Sequence, residues 1–194
     1  TSPSHQILRV HVHRDLDAAC FHRGMGEHQQ KAQRQQGEAV LKIGLGLEDR
    51  QLGAIKAGAA LVLAGAARFP DGERLAEQGE EMLIEACAKQ FLGDGGHQSR
   101  APEALFETFC DLIVANDALA LLGEASSVIT ETLPKLANMV RMFRLGDGGL
   151  ACFHGGSEGS AVSIDAALAR APGEVRAVQF ANQTGFQRLE AGPM

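Results

Sequence analysis

The chain has 194 residues, of which 45% are hydrophobic, enough for one domain with a real core and unlike the composition of a disordered segment. A net charge of −6 excludes a general attraction for nucleic acid or polyanions, so any anionic partner needs a local basic cluster. No apolar run reaches the roughly 18 residues of a membrane-spanning helix, and Thr1-Ser2-Pro3-Ser4-His5 does not read as a signal peptide.

Residues 1–48 form an N-terminal helical segment with indistinct periodicity, because Gly37, Gly44 and Gly46 interrupt it. His5, His11, His13, His22 and His28 are numerous there, but their spacing fits no metal signature and they read as solvated helix-face residues. From residue 49 to about 170 the chain is a series of helices. Leu52 to Phe69 is the first, ending at Pro70-Asp71-Gly72, a turn sequence. Leu75, Gly79, Met82, Leu83, Ala86 and Cys87 then mark one face of a second helix. It stops at Gly93-Asp94-Gly95-Gly96, where glycine is expected to supply a left-handed cap.

Pro102 opens a third helix from its favoured first-turn position. Leu105, Phe106, Phe109, Cys110, Leu112, Ile113 and Val114 make it apolar on more than one side, which predicts deep burial. Gly123-Glu124 ends it. Ile129, Leu133, Leu136, Val140 and Phe143 define a fourth helix that stops at Gly146-Asp147-Gly148-Gly149. Pro134 inside that pattern predicts either a kink or a later start. A short helix follows over about Ser160 to Arg170, and residues 171–194 read as an irregular tail. Cys20, Cys87, Cys110 and Cys152 show no CxxC pairing and read mainly as buried free thiols.

The turns recur. Asp71 to Gly123 spans 52 residues and Asp94 to Asp147 spans 53, the period of two helices of about 20 residues with short loops. The fold class expected is therefore all-α, with repeated antiparallel helical hairpins forming part of an (α/α) toroid. Both Gly-Asp-Gly-Gly loops then share one end of the layer.

At that end lie His97-Gln98-Ser99-Arg100 and His154. A glycine loop presenting His and Arg on a rigid scaffold suits a binding or catalytic site. The competing expectation is that His97 and Ser99 only cap the helix beginning near Pro102, and that His154 is an ordinary loop residue. Arg141 and Arg144 could join a basic patch with Arg100, or simply complement the dipole at a helix C-terminus. Phosphate-loop, dinucleotide-binding and nucleophile-elbow motifs are absent.

Three stretches, in order, carry a family resemblance: Asp94-Gly95-Gly96-His97-Gln98-Ser99-Arg100-Ala101-Pro102-Glu103, then Met142 to Ala151, then Gly185-Phe186-Gln187-Arg188-Leu189-Glu190-Ala191-Gly192. Together they resemble bacterial heparinase II/III-like proteins over roughly residues 50–192. The resemblance implies an α/α toroid followed by a β-domain, and a polysaccharide lyase that acts by β-elimination on an acidic polysaccharide. It implies His97, Arg100 and His154 as catalytic residues, and Gln98, Ser99 and Arg144 as substrate-binding ones. No cofactor or metal is implied.

The sequence departs from that family in having no Tyr for the phenolic acid–base role, and in ending about where the β-domain would start. The alternative expectation is a non-catalytic carbohydrate-binding or structural assembly domain. Apolar helix faces left uncovered would favour self-association or contact with a partner.

Overall fold

The computed structural model describes residues 51–123, 126–173 and 178–189, all within the compact unit Glu38–Met194. The expectations for residues 1–48, with their five histidines and Cys20, lie outside the described residues. The described chain is mostly helical: α1 (Gln51–Ala66), α2 (Glu73–Gln90), α3 (Pro102–Leu122), α4 (Ser127–Phe143) and α5 (Ala161–Arg170). Two two-residue strands, β1 (Phe180–Ala181) and β2 (Phe186–Gln187), pair antiparallel inside the segment read as an irregular tail. Among the described residues no helix is long and apolar enough to cross a membrane.

Helix α1 packs on α2 and α3, α3 packs on α4, and α2 touches α4. The α1–α2 contact is unusually close because glycines line it. A Cβ on Gly58 would lie 2.8 Å from the Leu83 side chain, and one on Gly79 would lie 2.7 Å from both the Gly58 carbonyl and the Val62 amide. A Cβ on Gly65 would lie 2.6 Å from the Ala76 amide. The pairs Gly58/Gly65 and Gly79/Gly72 each recur at seven residues, two helical turns, so they fall on one stripe. Backbone meets backbone along that stripe.

Helix α3 is the central element. Leu105, Phe109, Leu112, Ile113, Ala115, Ala118 and Leu119 are buried, as its apolar sides predict, although Val114 reaches solvent. Its one buried hydroxyl, Thr108 Oγ1, donates to the Ala104 and Leu105 carbonyls of its own helix. Helix α3 starts with Pro102 at its first turn and ends at Gly123 in the left-handed conformation (φ 87°), as expected for both residues. Helix α4 buries Ile129, Leu133, Leu136, Met139 and Val140. It runs from Ser127 past Pro134 without a break in the helix, so of the two expectations for that proline the later start does not occur. Ser160 caps α5, its hydroxyl accepting from Ser163 N.

One expectation needs correction at the helix ends, that a left-handed glycine caps α2. Helices α2 and α4 both stop before their glycine loops. Each ends on an extended residue, Phe91 and Arg144, and the left-handed glycines come later, inside the loops. Of the described thiols, Cys87 is buried and pushed up to about 12 by that burial, whereas Cys152 is exposed.

The glycine stripe gives a test whose sign is informative. In an open helix Gly→Ala stabilises by up to about 1 kcal/mol. At Gly79 the added methyl overlaps backbone, so Gly79→Ala is expected to lower stability by roughly 1–3 kcal/mol, read from the denaturant midpoint.

Candidate functional site

The two Gly-Asp-Gly-Gly loops are one structure built twice. In the first, Phe91 bridges His97; in the second, Arg144 bridges Leu150. Leu92 N donates to Gly96 O and Gly95 N to Leu92 O, at 2.8 and 2.9 Å; Leu145 N donates to Gly149 O and Gly148 N to Leu145 O, at 2.8 and 3.1 Å. Asp94 Oδ1 accepts from Gly96 N (3.0 Å) and Asp147 Oδ1 accepts from Gly149 N (2.9 Å). Gly95 and Gly148 hold φ of 85° and 90°. The sequence dictates this locally. An aspartate accepts from the amide two residues on, and the glycine between them enters a region closed to most side chains.

What distinguishes the loops is the β1–β2 hairpin, which lies as a strap across this end of the molecule. At its turn, Gln183 N and Thr184 N donate to Asp94 Oδ2 (2.9 and 2.7 Å), and Thr184 Oγ1 donates to Asp94 Oδ1 (2.6 Å). Gly93 N donates to Gln183 Oε1 at 2.6 Å. A Cβ on Gly96 would collide with the Thr184 side chain, so glycine is required there for contact with the strap. Burial pushes the Asp94 carboxyl up, but its hydrogen bonds from Thr184, Gly96 and Gln183 prevail and leave it below its ordinary value. At the other end of the strap, Arg188 Nη1 donates to the carbonyls of Arg141, Met142 and Arg144 (3.2, 2.9 and 2.5 Å). These belong to the last turn and cap of α4, whose outward carbonyls and dipole favour a cation.

Between the two ties, Phe186 enters an aromatic cluster. Its ring is edge-on to Phe143 (4.9 Å between centroids) and stacked with Phe153 (5.3 Å). The Arg100 guanidinium stands 5.0 Å from the Phe186 ring centroid, within cation–π reach. Phe153 is presented by a tight turn closed by Gly156 N donating to Phe153 O (3.1 Å), with His154 and Gly155 at φ 53° and 82°. Glu103 anchors that turn from α3, accepting from Ser157 N and Ser157 Oγ at 3.0 and 2.5 Å.

His97 is 2% exposed, with both ring nitrogens engaged. Ser99 N donates to Nδ1 (3.1 Å), and Ser99 Oγ lies 2.7 Å from the same atom. Nδ1 is therefore the acceptor, and Nε2 carries the proton towards Gln90 Oε1 at 3.4 Å. Burial lowers the His97 pKa, so the ring is held neutral. Ser99 Oγ also accepts from Ala101 N (3.2 Å), joining the ring to the start of α3. Arg144 donates to Gly148 O and forms an ion pair with Asp165 (2.6 Å), which ties the second loop to α5. The side chains of Gln98 and His154 are exposed. Arg100 and the turn bearing His154 meet at the aromatic cluster through Phe186 and Phe153, while His97 and Ser99 are built into the wall of the first loop.

Beside the cluster is an open cleft of about 660 Å³, lined by Met142, Phe143, Leu145 and Gly146 at and after the end of α4, by Ala151 and Phe153, and by residues 186–189 of the strap. The lining side chains are apolar apart from Gln187 and Arg188, while polar atoms, backbone included, form nearly half of the lining surface. Sequence reasoning singled out the strap only as a family-like stretch. It missed Thr184 and Arg188 as ties, and missed Phe153 and Phe186 as a stacked pair. Arg188 could have been flagged as a cation destined for carbonyls, but nothing local points to helix α4 as their source.

The chain is 36% identical over 159 residues to FtsZ-localized protein C of Caulobacter vibrioides. The match covers 81% of this chain and 27% of that protein, so the chain spans about a quarter of the relative's length. No protein-family model matches the chain, and no solved structure matches it significantly. These findings overturn the heparinase II/III resemblance. The absence of any matching family model removes its support, and the relative is named for its location with FtsZ and not for lyase activity. The polysaccharide lyase function and the acidic polysaccharide partner are corrected with it.

Two measurements test the site. Asp94→Asn leaves strap amides without an acceptor and is expected to lower stability by about 1–3 kcal/mol, whereas Asp147→Asn, whose carboxylate receives its own loop amide, costs less. Denaturation of the two variants side by side reads the difference. For His97 the sign follows from its lowered pKa. The unfolded chain takes up a proton near the ordinary value of 6.5 before the folded chain does. The ring therefore favours the native state above that pH, and stability falls as pH drops below it. Replacing His97 with Gln should flatten this decline in urea midpoints measured between pH 7 and 5; an unchanged slope would show that the ring is solvated.

Proposed function

We propose that this chain is a non-catalytic helical binding module of the cell-division apparatus that localises with FtsZ. The observation that carries the reading is the 36% identity to FtsZ-localized protein C across most of the chain. The geometry supports it. Asp94 and Arg188 are committed to holding the strap to the loop after α2 and to the end of α4, and the cleft beside them is open.

In the same reading residues 49–170 are the helical domain, 171–194 are the strap-bearing tail, and 1–48 are a separate N-terminal segment. The recurrence of one loop at 53 residues favours repeated antiparallel hairpins, the unit from which an (α/α) toroid is built. Arg100 and His154 flank the binding surface, and His97, Ser99 and Arg144 hold the loops that shape it.

A fluorescent fusion of the full chain, expressed in Caulobacter vibrioides cells, tests the proposal. The fusion is expected to gather where FtsZ gathers and to disperse when FtsZ is depleted. Diffuse fluorescence from a folded fusion, with FtsZ structures intact, would overturn it.

A further inference from the structure

The strap is held in a different way from the helices beneath it. Helix α3 is fixed by burial, with ten of its 21 residues buried. Of the twelve described strap residues only Ala181 and Thr184 are buried. Phe186 is half-buried, and Phe180 and Leu189 are 58% and 83% exposed.

What holds the strap is chiefly polar. Gln183 N, Thr184 N and Thr184 Oγ1 donate to Asp94, and Gly93 N donates to Gln183 Oε1. Arg188 Nη1 donates to the carbonyls at the end of α4. Bonds of this kind are exchanged for bonds to water when they break, so each contributes little net stability beside apolar burial. The groups they would release can be hydrated. Asp94 is half-buried, Gly93 is exposed, and the α4 carbonyls lie at a helix end next to the exposed Leu145. Opening therefore carries little of the penalty that an orphaned buried group would add.

The strap is also bonded to itself. Gly185 N donates to Ala181 O at 2.7 Å and Arg188 N donates to Gln179 O at 2.9 Å, and β1 pairs with β2. Its residues are thus linked across the hairpin. The surface it covers is apolar: Phe186 lies edge-on to Phe143 and stacks on Phe153, and Phe143 is only 5% exposed with the strap in place.

We propose that the strap is a latch: residues 178–189 open as one unit while the helices stay folded, uncovering Phe143, Phe153 and the Asp94 carboxylate. Segments with few buried apolar contacts open at lower free energy than the core, and moving elements are drawn from them. The strap is then a built-in occupant of this face, and anything that takes the face competes with it. The proposal concerns the chain's own motion, so it stands or falls separately from the FtsZ reading.

Gly96 supplies a wedge with which to test it. A Cβ there would collide with Thr184 Oγ1 and lie 2.7 Å from Thr184 Cβ and Cγ2, so the three nearest atoms it meets all belong to the strap. Amide hydrogen exchange of the full chain, read residue by residue by NMR, gives the measurement. In the wild type the amides of Thr184, Gly185 and Arg188 are expected to exchange at least a hundredfold faster than those of Leu112 and Ile113, after correction for intrinsic rates. Mild denaturant should accelerate the α3 amides and leave the strap amides nearly unchanged, because a small opening exposes little surface. In Gly96→Ala the strap amides should lose their protection while the α3 amides keep theirs. The same variant should bind more of an apolar fluorescent dye than wild type, because the Phe143 ring is uncovered.

Strap and α3 amides with equal protection and equal denaturant dependence would overturn the proposal, since the strap would then open only with the whole fold. So would a Gly96→Ala chain whose strap stays protected, or one in which α3 loses protection along with the strap. An open strap with unchanged dye binding would also overturn it, because no apolar face would have been uncovered.

Discussion

Helices that end side by side leave their last carbonyls pointing in the same direction, and something must satisfy them. Here that constraint falls on a strap of twelve described residues, 178–189. One guanidinium, that of Arg188, takes three carbonyls at the end of α4. One carboxylate, that of Asp94 in the loop after α2, takes three hydrogen bonds from the strap's turn. The first tie caps α4, the second fixes the strap's turn, and Phe186 of the aromatic cluster lies on the strap between them.

The duplicated loop shows how one local sequence can serve two ends. Asp94 and Asp147 perform the same turn-closing task, but only Asp94 also faces the strap. The position following each glycine pair diverges in the same way. His97 and Leu150 occupy equivalent places, and both are buried. The first is polar and brings Gln90 and Ser99 with it, while the second is a plain apolar filler. The histidine in the first loop is thus also a structural element of it. Its partners are at hand in the sequence, at Gln90 and Ser99, and they consume both ring nitrogens.

Much of the helical layout was legible because it is governed by short-range rules. Pro102 opens α3, Gly123 closes it, and Ser160 caps α5, each within a residue or two of the expected boundary. The recurrence of Gly-Asp-Gly-Gly correctly announced a recurring loop. The strap was not legible, for two physical reasons. Its strands are two residues long, too short for any alternation of side chains to register. Its ties also join Asp94 to Thr184 and Arg188 to α4 across 90 and about 45 residues, a separation that periodicity cannot report. Pro134 does not delay the start of α4: the roughly 3 kcal/mol that a proline costs inside a helix is offset by the burial of Leu133, Leu136 and Ala137 on either side of it. The family resemblance misled because its stretches describe how loops and strap are held together, and loop architecture does not specify a reaction.

The glycine stripe between α1 and α2 has a mechanical consequence. Helices separated by long side chains can slide past one another by exchanging rotamers. Helices that touch backbone to backbone at Gly58, Gly65, Gly72 and Gly79 have no such compliance, and the pair moves as a single stiff lever. One end of that lever is the turn at Pro70, and at the other the chain passes from α2 directly into the loop that grips the strap. Asp94 thus sits just beyond the helix that α1 holds at backbone distance, and it receives the strap from there.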